Sequence, residues 1–117
     1  MDNAEVTMDE FVALKPRAGD FIARFGEPFI DFETRGDLVL VGDSTSGENI
    51  AKVYKASRKD DAGKITLTMP GEMRGLIVEV EDGECLDEFS GETSQRKALL
   101  LRNGQNFRIM GCAYPAG

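Results

Sequence analysis

The residues best suited to chemistry are three consecutive hydroxyl side chains, Ser44, Thr45 and Ser46, in the small polar stretch GDSTSGEN. A hydroxyl group acts as a nucleophile only when a nearby base removes its proton. The chain contains no histidine, so a Ser-His pair is excluded and Gly42-Asp43-Ser44 does not predict a serine hydrolase. The missing histidine also removes the most common metal ligand and general base.

The same stretch has the Gly-x4-Gly spacing of a phosphate-binding loop. Glu48 and Asn49 stand where that loop needs Lys and Ser or Thr, and a glutamate there repels nucleotide phosphates. The acid-rich segment 79–92 lacks the spacing of a calcium loop, so we expect a solvated surface and no metal site. Neither stretch predicts a metal or phosphate site.

The two cysteines, Cys85 and Cys112, have neither a metal-ligand spacing nor a CxxC arrangement. They occur in the unrelated settings GECLDEF and IMGCAYP. We therefore expect two reduced, partly buried thiols.

Composition indicates one soluble domain over residues 1–117, with 41% hydrophobic and 30% charged residues. The net charge of −7 argues against nonspecific nucleic-acid binding, which needs a basic face, and suits a basic partner. No apolar run is long enough to span a membrane. The start MDNAEVTMDE lacks the basic and apolar parts of a Sec signal. We expect a cytoplasmic site of action, or delivery by another secretion route.

The first elements are a helix and a β-hairpin. Thr7 and Glu10 stand in capping-box spacing before FVAL, which predicts a short helix over about 8–15. Residues 20–25 are interpreted as another helical turn. The segments PFIDFET and LVLV flank a turn at residues 35–37 and predict a hairpin or two successive strands.

Segment 49–58 is ambiguous between helix and strand. Its apolar residues fall at helical spacing behind a second capping box of Thr45 and Glu48, which favours a short helix, with a strand as the alternative.

The second half of the chain is β-rich. KITLTM, GLIVEV, ALLLR and NFRIMG predict strands, the last two joined by a turn at Asn103-Gly104. Residues 81–95 show no period and are expected to form a long, exposed loop.

Three segments in this order resemble the bacterial toxin ADP-ribosyltransferases, whose signature is an Arg, a Ser-Thr-Ser and a Glu. The segments are Ser44-Thr45-Ser46, KITLTMPGEMRGLIVEV and ALLLRNGQNFRI, and they cover a little over half of the chain. In this resemblance Ala51 opens a helix, Pro70 and Gly75 close a turn with the first glycine displaced to Gly71, and a final strand pair follows. The resemblance implies an α+β fold with a compact ADP-ribosyltransferase-like antiparallel β core and a short N-terminal helix. The final strand pair is matched by Leu99, Leu100, Leu101, Gly104, Phe107 and Ile109.

The resemblance implies a toxin or effector domain that transfers ADP-ribose from NAD to a macromolecular acceptor, either a protein or a nucleic acid. Ser44 or Ser46 would orient the catalytic glutamate, and Thr45 would support the strand end. An upstream arginine would bind the NAD phosphates, with Arg17 as the first choice. The alternatives for that arginine are Arg24 and Arg35.

The family's catalytic glutamate position falls on Ala98, which can neither carry charge nor accept a hydrogen bond. Loss of one such electrostatic group costs about 3–4 kcal/mol, or roughly a hundred- to a thousandfold in rate, so this form of the enzyme should be nearly inactive. Either the alanine was engineered to silence a toxin, which we favour, or it marks a natural binding-only descendant. Glu92 is a weak substitute carboxylate, and Arg96 occupies a position that helps the family select its acceptor.

Two classes of function follow. The first is an ADP-ribosylating effector of interbacterial competition, delivered without a Sec signal, expected to be part of a larger protein and to be bound by an immunity protein. The second is a noncatalytic β-rich interaction module, such as an inhibitor, an immunity protein or a virion accessory subunit. A weaker third hypothesis is an acidic nucleic-acid mimic that blocks a basic protein.

Overall fold

The chain folds into one antiparallel sheet preceded by a short helix. The computed structural model describes residues 7–26, 29–44, 50–73, 75–88, 90–102, 104 and 106–116. Within these ranges the elements are α1 (Met8–Ala13), β1 (Phe21–Phe25), β2 (Ile30–Arg35), β3 (Leu38–Asp43), β4 (Ile50–Lys55), β5 (Ser57–Asp61), β6 (Lys64–Thr68), a 3-10 turn (Gly71–Met73), β7 (Leu76–Leu86), β8 (Thr93–Arg102) and β9 (Arg108–Pro115).

The strand order is β4-β3-β2-β1-β9-β8-β7-β6-β5, and every neighbouring pair is antiparallel. The two outer strands, β4 and β5, are consecutive in the chain and are separated only by Ala56. Ala56 is buried and its N–H donates to the Asp37 carbonyl at 2.8 Å. Because the two ends of the sheet meet at this residue, the sheet curls into a nearly closed, barrel-like form.

The expected α+β ADP-ribosyltransferase-like fold is therefore wrong. The described residues contain nine strands in one sheet and a single six-residue α-helix. The described part of segment 49–58 forms β4 and the start of β5, so Ala51 lies in a strand and opens no helix. The apolar spacing misled because β4 lies at the edge of the sheet, where Val53 is its only buried residue and no two-residue alternation develops.

The helical turn expected at residues 20–25 is also wrong, because these residues form β1. Phe21, Ala23 and Phe25 are buried and alternate with more exposed neighbours, which is the two-residue period of a strand. The helix at the start of the chain is confirmed, with the Thr7 side chain accepting from the Glu10 N–H at 3.2 Å.

Both predicted hairpins are confirmed by direct strand pairing. β2 pairs with β3 across Gly36, and β8 pairs with β9. Asn103, one of the two residues of the second turn, lies outside the described residues, as does the second capping box of Thr45 and Glu48.

Apolar side chains fill the space that the curled sheet encloses. The largest fully buried apolar side chains come from six strands on both halves of the sheet, so the two halves share one core. They are Phe21, Phe32, Val39, Leu67, Val78, Val80 and Leu100.

A polar cluster of Asp20, Thr34 and Arg58, here called the closure cluster, ties edge strand β5 to the start of β1. The Arg58 guanidinium donates to Asp20 Oδ1 at 3.1 Å and to the carbonyls of Gly36 at 2.8 Å and Gly19 at 2.7 Å. The Thr34 hydroxyl donates to Asp20 Oδ1 at 3.0 Å and accepts from the Phe21 N–H at 3.1 Å. The carboxyl, hydroxyl and guanidinium groups of the cluster thus all have hydrogen-bond partners in the fold.

The carboxyl of Asp20 is stabilised in its charged form. Burial alone would raise its pKa, but hydrogen bonds from the Arg17 and Gly36 N–H groups, the Thr34 hydroxyl and Arg58 together lower the pKa below the ordinary 3.8. The closure cluster therefore favours the ionised carboxylate.

Candidate functional site

A row of directly paired residues crosses the outward face of six neighbouring strands. Residues opposite one another in antiparallel strands project to the same face, and the flanking residues Ala23, Phe32 and Ala98 point into the core. The row therefore forms a continuous band on the outside of the sheet. From β4 to β8 it consists of Ala51, Gly42, Asp31, Arg24, Cys112 and Lys97.

The tip of the β7–β8 hairpin covers one end of this row. The long, exposed loop expected at residues 81–95 is wrong: β7 continues to Leu86, β8 begins at Thr93, and the pairing is interrupted only by a bulge between Asp82 and Cys85. Both faces of this hairpin tip lie outside the core, so its acid-rich sequence shows no apolar period. The described residues 83–88 and 90–94 are called the arm below.

The arm bends across β8 to reach β9. Strands β7 and β9 flank β8, which would place them roughly 9–10 Å apart in a flat sheet, yet the Cα atoms of Cys85 and Cys112 are 5.7 Å apart. Gly83 lies at the bulge with a φ of +152°, a backbone conformation that residues with a side chain rarely adopt. Cys112 is consequently buried although it faces outward.

Cys85 and Cys112 form a disulfide, so the expectation of two reduced thiols is wrong. The cysteines are 27 residues apart in the chain, and only the bend of the arm brings them together. The spacing in the sequence carried no sign of that bend.

Two further contacts hold the arm against the sheet. The Tyr114 hydroxyl donates to Asp87 Oδ2 at 3.2 Å, and desolvation together with the nearby Asp87 charge raises the Tyr114 pKa. The Arg24 guanidinium lies 5.3 Å from the centroid of the Tyr114 ring and 4.0 Å from a Glu92 oxygen. The arm therefore contacts β1 and β9 by polar groups as well as by the disulfide.

A cleft of about 850 Å³ opens between the arm and the ends of β1, β2, β3 and β4. Its floor is the row of paired residues, and its rim carries large apolar side chains that remain exposed: Phe29 at 47%, Ile50 at 52%, Leu86 at 61% and Met110 at 76%. These are four of the seven large hydrophobic residues exposed in the described part of the chain. The other three lie on or beside α1, so apolar exposure is concentrated in two places.

The middle of the cleft floor is polar. Asp31 lies over Gly42, where a Cβ atom would approach Asp31 Oδ1 to 2.5 Å, so the glycine leaves room for the carboxyl. Desolvation in the cleft raises the pKa of Asp31, and the positive charge of Arg24 opposes this shift.

The candidate residues of the transferase hypothesis do not form one site. Ser44 lines the cleft, and its N–H and hydroxyl donate to the Phe29 carbonyl at 3.1 and 3.4 Å. Ala98 is only 2% exposed, points into the core from β8, and does not line the cleft. Arg17 lies before the start of β1, at the opposite end of that strand from the cleft, and its N–H bonds Asp20. Thr45 and Ser46 lie outside the described residues.

The other arginines considered for NAD binding or acceptor choice have partners in the fold. Arg35 pairs with Glu33 at 2.7 Å and lies 4.8 Å from the Phe11 ring centroid. Arg96 pairs with Asp82 at 3.5 Å. Arg24 is the one of these arginines that lines the cleft.

Sequence reasoning did not find the apolar rim. Leu86 ends β7 and Met110 lies in β9, while Phe29 precedes β2 and Ile50 begins β4. The presence of apolar Leu86 in an acid-rich segment was the signal that the sequence offered.

No protein-family model, curated protein or solved structure matches this chain. Among the described residues, no helix has the length and apolar character needed to cross a membrane. In the same residues no group of three or more acidic or cysteine side chains has a geometry suited to a metal ion.

Proposed function

We propose that this protein is a noncatalytic interaction module that binds a macromolecular partner in the cleft beneath the arm. The observation that carries the proposal is the gathering of Phe29, Ile50, Leu86 and Met110 around one concave surface. Scattered exposed apolar residues are ordinary, whereas a cluster bordered by polar groups is typical of an interaction site.

The chemistry of the described lining residues supports binding over catalysis. Its two cysteines are joined in a disulfide, and its one described hydroxyl, on Ser44, is bonded to a backbone carbonyl. The transferase activity stays an untested prediction. The observed fold and the burial of Ala98 do not support it.

Site-specific photo-cross-linking in the source cells tests the proposal. A photoreactive amino acid at Met110 on the cleft rim is compared with one at Val12, which is 66% exposed on α1. We expect a discrete adduct from position 110 only, containing one partner that mass spectrometry identifies and that binds the purified protein.

A second substitution tests whether the adduct depends on the apolar rim of the cleft. Leu86→Ser should abolish the adduct at position 110 while leaving the melting temperature unchanged, because Leu86 is exposed. Identical adducts from positions 110 and 12, or no adduct from either, would overturn the proposal.

A further inference from the structure

We infer that the cleft binds a cationic segment of a partner protein that also carries apolar side chains. The inference rests on the proposed function and adds the chemistry of the occupant. In the bound complex, the basic residues of the partner segment face the carboxylates of the arm. An apolar side chain of the segment enters the cleft between the arm and the turn that joins β1 to β2.

The charge balance of the cleft is the first argument. Among the described lining residues, five carboxylates stand against two cations, a formal charge of −3. The carboxylates belong to Asp31, Asp43, Glu84, Asp87 and Glu88, and the cations to Arg24 and Lys97.

Of the two cations, Arg24 has partners within the protein, while Lys97 is exposed. Arg24 is engaged by Glu92 and by the face of the Tyr114 ring, and Asp31 is its direct cross-strand neighbour. The stem of Lys97 packs over Gly83. Part of the positive charge of the cleft floor is therefore balanced by groups of the protein itself.

Two carboxylates of the arm are exposed beside the cleft. Glu84 and Glu88 are both exposed, and no ion pair found among the described residues includes either of them. They stand on both sides of the exposed Leu86. A segment that contacts Leu86 thus meets two carboxylates, which favours lysine or arginine beside its apolar residues.

The charge of the whole chain selects against other occupants. At a net charge of −7, a second copy of this chain and a nucleic acid are both repelled, whereas a basic protein is attracted over long distances. A purely polar polycation, in turn, makes no apolar contacts with the rim. The occupant therefore needs both positive charge and apolar side chains.

Three synthetic peptides of one length test the inference: alternating Lys and Leu, alternating Glu and Leu, and alternating Lys and Ser. Binding to the purified protein is measured by calorimetry and located by NMR shifts of backbone amides. We expect the Lys/Leu peptide to bind with shifts in the arm, the end of β3 and the Met110 region. The Lys/Ser peptide should bind at least about tenfold more weakly, because it lacks apolar contacts, and the Glu/Leu peptide should not bind.

A charge-reversal pair separates local from general attraction. Glu84→Lys with Glu88→Lys should weaken Lys/Leu binding about tenfold, whereas Asp37→Lys with Asp61→Lys changes the net charge equally but lies away from the cleft. Equal losses in the two variants, equal binding of the Glu/Leu peptide, shifts outside the cleft, or no binding at all would each overturn the inference.

The two proposals fail in different ways. If cross-linking at Met110 identifies a partner whose docked segment is acidic or uncharged, the inferred chemistry is wrong and the interaction function stands. If position 110 yields no specific adduct, the proposed function fails whatever the peptides do.

Discussion

The two ends of strand β1 use charge in opposite ways. At its start, the buried Asp20 and the half-buried Arg58 satisfy each other within the closure cluster. At its end, the cleft leaves carboxylates and large apolar side chains in contact with solvent. A cluster that satisfies its own polar groups contributes to folding, while a surface that leaves apolar groups exposed is suited to a partner.

The largest loss of stability is expected from a substitution in the closure cluster. Arg58→Met leaves Asp20 buried without its cation and should lower the free energy of unfolding by about 3–5 kcal/mol. Chemical denaturation measures the loss. The matched control is Lys64→Met, which breaks the exposed Lys64–Glu79 pair and should cost no more than about 1 kcal/mol. Equal losses in the two variants would show that the closure cluster is not special.

A buried carboxylate at position 98 should be nearly as damaging. Ala98→Glu places an unpaired charge in the core, so we expect a loss of about 3 kcal/mol or more. The same protein, incubated with labelled NAD, addresses the transferase hypothesis. Release of nicotinamide by a folded Ala98→Glu protein would contradict the assignment of β8 to a purely structural role.

The disulfide should contribute both to the free energy of unfolding and to peptide binding in the cleft, because it joins the arm to β9. For cysteines 27 residues apart, the chain-entropy model gives about 3–4 kcal/mol. Cys85→Ala with Cys112→Ala should show this loss together with weaker binding of the Lys/Leu peptide. Reductant is the control. It should lower the stability and the peptide affinity of the unmodified protein and leave both properties of the double variant unchanged.

Acid should protonate Asp31 in the cleft before it weakens the closure cluster, because the pKa of Asp31 is raised and the pKa of Asp20 is lowered. Because the folded pKa of Asp20 is lowered from 3.8, its contribution is present above that pH and is lost as the pH falls through the lower folded value. The stability difference between the unmodified protein and Asp20→Asn should therefore shrink on acidification below 3.8. A difference that grows on acidification would contradict the sign of the shift.

Much of the strand content followed from sequence, because alternation and turn residues are local signals. The helix at Thr7, the β2–β3 hairpin and the β8–β9 hairpin were predictable in this way. The identity of two elements without a buried face was missed, as was that of β1, although Phe21, Ala23 and Phe25 alternate as buried residues there. β4 lies at an edge and the arm lies outside the core, so neither displays the apolar period on which such predictions depend.

The candidate site was harder to predict than the fold. Ser44 was singled out and does line the cleft, but for a role as an orienting hydroxyl that nothing in its contacts supports. The rim depends on the bend of the arm at Gly83 and on the Cys85–Cys112 bond. Both are long-range features, and no local pattern encodes which residues such a bend brings together.

The most direct measurement compares peptide binding in two pairs of surface substitutions. Leu86→Ser with Met110→Ser removes exposed apolar groups from the cleft rim, and Met8→Ser with Val12→Ser removes exposed apolar groups from α1. Each substitution should change the free energy of unfolding by no more than about 0.5 kcal/mol. The account predicts that only the cleft pair abolishes binding of the Lys/Leu peptide. Undiminished binding to the cleft pair, or equal loss in the α1 pair, would contradict it.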